Sequence, residues 1–199
     1  MDAPNPRPPA RLSVICGPMF SGKTTALIER LIEHRKGGRD VIAVKPRLDD
    51  RYHPTDLTTH TGVSLPARTI DVPDNLDEIH ADLIGLDECH FFETGLHDAV
   101  QRLLHRGTDV ILAGLDRTSL NEPFAEMGHL LVEADEIVKL TSPCAICAQP
   151  AVHTIRLFDS DAPIVVGGEG MFENRCRLHL HDPPPRIRPD EELPPDLVR

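Results

Sequence analysis

Short apolar runs recur along the chain, separated by polar stretches marked with glycine. Leu12-Ser13-Val14-Ile15-Cys16 and Val41-Ile42-Ala43-Val44 read as buried strands. Leu83-Ile84-Gly85-Leu86, Val110-Ile111-Leu112-Ala113 and residues 136–140 read as three more. Between them the apolar spacing changes to that of helices. Leu27, Ile28, Leu31 and Ile32 form one stripe over 24–34, and Gly37-Gly38 suits the end of that helix. Leu96, Val100, Leu103 and Leu104 do the same over 95–106. Residues 45–62 are polar, broken by Pro46 and Pro54, and read as a long loop of the kind that often carries function. Strands alternating with helices predict an α/β fold, a mostly parallel sheet with helices on both faces. No internal repeat is visible.

The pattern changes after Thr141. Cysteines, a Gly-Gly pair and short β-like runs at 152–157 and 164–166 predict a small, β-rich, metal-stapled domain. The expected organisation is a Pro-rich disordered leader (1–11), an α/β domain (12–141), a zinc-binding domain (142–182) and a Pro-rich disordered tail (183–199).

Composition narrows the functional classes. The chain has 199 residues, 40% of them apolar, enough for one substantial core and a small appendage. With 32 acidic and 21 basic residues the formal charge is −11, which argues against a general nucleic-acid or anionic-membrane binder. A nucleotide ligand stays open, because phosphates are met locally by loop N–H groups. No apolar run approaches the ~20 residues of a membrane span. The N-terminal stretch lacks the apolar core of a signal peptide, so a cytoplasmic location is expected. Five cysteines in that setting point to metal ligands or buried thiols rather than disulfides.

Gly17-Pro18-Met19-Phe20-Ser21-Gly22-Lys23-Thr24 fits G-x-x-x-x-G-K-[ST], the phosphate-binding loop. A predicted strand precedes it and a predicted helix follows. That arrangement aims backbone N–H groups and a helix N-terminus at phosphate oxygens. Gly17 and Gly22 permit the tight path, Lys23 would reach the β/γ-phosphates, and the Thr24 hydroxyl would ligate magnesium. The competing reading, a chance glycine turn before an amphipathic helix, leaves the full match unexplained. The second motif is the strand at 83–86 ending in Asp87-Glu88. Asp87 would hold magnesium, directly or through water, and Glu88, pointing the other way, could take a proton from an attacking hydroxyl or water. Cys89 and His90 follow, but adjacent residues on an extended segment diverge, which disfavours a Cys-His nucleophile. Cys16 reads as core.

The third motif pairs Cys144-x-x-Cys147 with Cys176-x-x-His179, with 28 residues between the pairs. Thiolate and imidazole donors in that spacing suit a closed, tetrahedral structural zinc site with no catalytic role. His181 competes with His179 for the fourth position, and the spacing favours His179.

Taken together, these residues resemble the type II thymidine kinases, the zinc-containing family of deoxynucleoside kinases. Gly17 to Thr24 is close to a family signature. Asp87-Glu88-Cys89-His90-Phe91-Phe92 resembles its D-E-x-x-F-F segment. Gly114-Leu115-Asp116 with Pro123-Phe124 resembles its G-L-D…P-F stretch, and Gly167-Gly168…Phe172…Cys176-Arg177-Leu178-His179 its G-G…Y…C-R-x-[CH] stretch. The resemblance implies ATP-dependent phosphorylation of the thymidine 5′-hydroxyl, with Glu88 as general base and ATP on residues 17–25, Thr25 included. It implies Asp49 and Arg51 near the sugar, and Met19, Phe91, Leu115 and Phe124 around the thymine. Val165, Gly167, Gly168 and Phe172 fall in a lasso-like loop that closes over the base, anchored by the zinc domain. The family is usually tetrameric and inhibited by thymidine triphosphate. Ser119 stands where the family usually has an aromatic residue, and Phe172 where it usually has tyrosine. The alternatives are another phosphate-loop ATPase or GTPase switch, for which the zinc pairs have no job, and a zinc-ribbon binding module, which the acidic balance opposes.

Overall fold

All five apolar runs become strands of one sheet. The computed structural model describes residues 8–48, 56–58, 62–158, 165, 167 and 170–183. In chain order the elements are β1 (Leu12–Cys16), α1 (Lys23–Lys36), β2 (Val41–Pro46), β3 (Asp56–Thr58), β4 (Ser64–Ile70), β5 (Leu83–Leu86), α2 (Leu96–His105), β6 (Asp109–Gly114), α3 (Met127–Glu133) and β7 (Glu136–Lys139). The four short strands that follow are β8 (Ser142–Pro143), β9 (Pro150–Ala151), β10 (His153–Arg156) and β11 (Phe172–Arg175). The large sheet has seven strands in the order β3-β4-β2-β5-β6-β1-β7. Every pairing in it is parallel except β3 with β4. Two antiparallel pairs, β8–β9 and β10–β11, make up the rest.

Successive residues of β1 show why both sheet faces are covered. Val14 and Cys16 pack with Leu96, Val100 and Leu103 of α2 and with Met127 and Leu130 of α3. Ile15, on the opposite face, packs with Leu27, Ile28 and Leu31 of α1. The period of two in the strand meets the helical stripes on either side. This is the α/β arrangement expected from the sequence.

The loop expected over 45–62 is shorter than that. Lys45 and Pro46 finish β2, and Asp56–Thr58 is a short strand against β4. β4 itself alternates between buried and exposed positions and carries Pro66 and Arg68, so it shows no apolar run. α3 has only seven residues, too few for a clear stripe. Of the strand expected at 164–166 only Val165 is described, and the first residues of the leader and most of the tail lie outside the described residues. Among those described, no helix is long and apolar enough to cross a membrane.

Candidate active site and metal cluster

The C-terminal ends of β1, β2, β5 and β6 point to the same side of the sheet, where ligands of open α/β folds bind. The loop after β1 turns sharply. Gly17 has φ 146°, and a Cβ there would lie 2.6 Å from the Leu140 carbonyl oxygen. Gly22, at φ 84°, forms the left-handed entry to α1, and its carbonyl accepts the first helical bond, from Ala26 N–H, at 3.0 Å. Lys23 is buried, and its Nζ donates to the Pro18 carbonyl at 2.7 Å, arching back over the loop.

Across the sheet, Asp87 N–H donates to the Val44 carbonyl at 3.0 Å and extends the ladder past β5. The Thr24 hydroxyl donates to Asp87 Oδ2 at 2.8 Å. That single bond joins two motifs 63 residues apart and brings together the two side chains expected to hold magnesium. Glu88 then leaves the strand in the left-handed region, φ 48°, ψ 34°. Its Oε2 lies 3.5 Å from Nδ1 of His90. His90 is buried, and its Nδ1 accepts the Leu115 N–H at 3.2 Å. Its ring packs on Phe91 (centroids 4.4 Å apart) and edge-on against Phe124 (4.6 Å). His90 thus fixes three residues expected around the base. Sequence reasoning missed this role, because nothing local separates a packed histidine from a surface one. Cys89 is wholly buried beside Met127 Sδ at 3.4 Å, and burial pushes its thiol far above the usual range. It is no nucleophile.

One cavity is lined by Met19, Phe20, Ser21, Gly22, Lys23, Thr24, Thr25, Asp87, Glu88, Phe91, Leu115, Phe124, Val165, Gly167 and Phe172. Gly17 and Pro18 shape the loop without lining it. Asp49, Arg51 and Gly168 lie outside the described residues. Lys45, His90, Arg117, Thr154 and Arg156 also line the cavity; the sequence alone weighed His90 only as a partner of Cys89 and singled out none of the other four. Lys45 is only 2% exposed although it ends an apolar strand. Asp116 is buried, 2.6 Å from Lys139 Nζ and 3.6 Å from Arg117 Nε.

Cys144, Cys147, Cys176 and His179 bring one ligand atom each within 4.8 Å of one another. Nδ1 of His179 is 3.3 Å from Cys176 Sγ and 3.7 Å from Cys144 Sγ, and the Cys147 and Cys176 sulfurs are 3.7 Å apart. Burial alone would raise the Cys144 thiol. Backbone hydrogen bonds from Cys176, Cys147 and Ile146, with His179, bring it down to about 5. A cluster of three sulfurs and one imidazole fits zinc, with the thiolate form already favoured at one ligand. His181 is exposed and stands apart from the cluster.

The thymidine kinase family model matches residues 10–180. The chain is 38% identical over 176 residues to a thymidine kinase of Rhodothermus sp. (strain ITI 518), an alignment covering 87% of this chain and 83% of that one. It is 41% identical over 180 residues to a thymidine kinase of Roseiflexus sp. (strain RS-1), covering 84% and 93%. With a thymidine kinase of Coprothermobacter proteolyticus the identity is 39% over 181 residues, covering 87% and 91%.

Proposed function

The chain belongs to the thymidine kinase family and is an enzyme that phosphorylates thymidine, and from that premise we propose how its residues do so. The reaction moves the γ-phosphoryl group of ATP to the 5′-hydroxyl, giving dTMP and ADP. The contact that carries the reading is the Thr24–Asp87 bond, with Glu88 next along the chain and facing the same cavity. Loop amides from Phe20 to Thr25 and the Lys23 ammonium hold the phosphates. Thr24 and Asp87 hold magnesium, which supplies charge neutralisation at the transferring group. Glu88 accepts the proton of the 5′-hydroxyl as the oxygen attacks phosphorus, and the leaving oxygen stays on ADP.

Met19, Phe91, Leu115 and Phe124 enclose the thymine, and Val165, Gly167, Gly168 and Phe172 close over it. Asp49 and Arg51 orient the sugar. Zinc on Cys144, Cys147, Cys176 and His179 is structural. A homotetramer, inhibition by dTTP and a cytoplasmic location complete the proposal. Acidic balance supports the expectation of neither nucleic acid nor membrane as partner.

The deciding assay is ADP release with ATP and magnesium, with and without thymidine. Release that requires thymidine is expected. Release at the same rate without it would make the chain a nucleotide hydrolase and sink the transfer mechanism.

A further inference from the structure

The segment that carries the metal cluster also grips the phosphate loop by its backbone. Met19 N–H donates to Thr154 Oγ1 at 2.9 Å, and Asn174 Nδ2 donates to the Met19 carbonyl at 2.7 Å. The Thr154 hydroxyl donates in turn to Asn174 Oδ1 at 3.0 Å. The three bonds close a ring that uses both peptide groups of one loop residue and both ends of the Asn174 amide. Thr154 and Asn174 face each other across β10 and β11 and are 6% and 5% exposed.

Asn174 is held from the metal side as well. Its carbonyl accepts the N–H of Ala145, which lies between Cys144 and Cys147, at 2.8 Å. Cys176 follows it by two residues. A chain of bonds therefore runs from the cysteine pair, through the Asn174 backbone and side chain, to Met19. The next loop residue, Phe20, sits at φ 60°. A bulky residue stays in that region only where its surroundings over-determine it. The grip on Met19 is such a constraint.

We propose that Thr154 and Asn174 are positioning residues that set the shape of the phosphate loop, and that metal and nucleotide binding are coupled through them. The proposal rests on the kinase reading above. Asn174 does not line the cavity, so its loss reaches the nucleotide through the two residues it holds, Met19 and Thr154. Thermodynamic reciprocity then requires bound nucleotide to tighten the hold on metal.

The test uses the zinc-loaded full chain, its Asn174→Leu variant, and the pair Thr154→Val and Thr154→Ser. Three quantities are measured: zinc stoichiometry, binding of ATP with magnesium, and the rate of zinc transfer to a chelator with and without ATP. Asn174→Leu is expected to keep its zinc and to weaken ATP on the order of tenfold. ATP is expected to slow zinc transfer in the parent and not in the variant. Thr154→Ser, which keeps the hydroxyl, should retain the protection of zinc by ATP, and Thr154→Val should lose it as Asn174→Leu does, which keeps the test available if one variant fails to fold. Variants that lack the ring yet retain parental ATP affinity and parental protection of zinc would overturn the coupling. A parent that binds no ATP would overturn the kinase reading itself, and the coupling with it.

Discussion

In the proposed mechanism Glu88 and Asp87 are neighbours with different tasks, and conservative substitutions separate them. Glu88→Gln removes the proton acceptor while leaving the loop and Asp87 in place. Turnover is expected to fall by ~10²–10⁴-fold with ATP affinity unchanged, since a positioned base contributes that much. Steady-state kinetics beside ATP binding check this, and unchanged turnover would remove Glu88 from the role. Ser119 and Phe172 both line the cavity, and they are the two positions where the chain departs from the family pattern expected from its motifs, with no ring at 119 and no hydroxyl at 172. Looser base selection is expected from this, read as smaller kcat/KM ratios between thymidine, deoxyuridine and deoxycytidine. Restoring bulk with Ser119→Phe should sharpen the preference, and a parent already strict for thymidine would contradict it. The residues named here were legible in the sequence because each sits in a local motif. His90 and Lys45 were not, because their significance comes from what folds against them: Leu115 N–H and two phenyl rings for one, near-complete burial at a strand end for the other.

Among the elements, β1, β2, β5, β6 and α1 announced themselves through apolar runs or stripes. β4 did not, because half of it faces water, and α3 did not, because it is too short to show a period. α3 is docked on α2 by polar contacts that no periodicity reveals. The Glu126 carboxylate accepts the N–H groups of Gly95 and His97 at 3.2 and 2.8 Å, capping α2, while His97 Nε2 meets Glu133 at 3.1 Å. The Glu133 hydrogen bond raises the His97 pKa above its usual value; partial burial opposes this, and Asp98 adds to the rise. A raised pKa means the folded state favours the protonated ring. Its contribution is therefore complete below the unfolded value of about 6.5 and is lost as pH climbs through the folded one. The melting-temperature difference between the parent and His97→Gln is expected to be largest near pH 6, where the ring is protonated and Glu133 ionised, and to shrink as pH rises through the raised folded value. A difference that grows with pH would rule out the protonated pair. The effect should be small, since both side chains are partly exposed.

At the scale of the molecule, the apolar cluster around the metal ligands is small: Cys144, Cys147, Ala151 and Cys176. Metal binding of structural sites supplies on the order of 10 kcal/mol, enough to fold a unit with so small a core. Stripping the metal with a chelator is expected to disorder residues of this region while the seven-stranded sheet persists, seen as lost amide protection over 142–183 and retained protection in β1, β5 and β6. Uniform loss across the chain would show a single cooperative unit instead. The metal cluster was legible in its ligand spacing, whereas the grip of β10 and β11 on Met19 emerges only in three dimensions. The backbone at Glu88 has a consequence for the whole chain. A glutamate at φ 48° is held in a conformation that costs L-residues about 1–2 kcal/mol, and asparagine tolerates it better. Replacing the proposed proton acceptor by Glu88→Asn should therefore yield an inert protein that melts at a higher temperature, making position 88 a place where endurance and turnover are traded against each other.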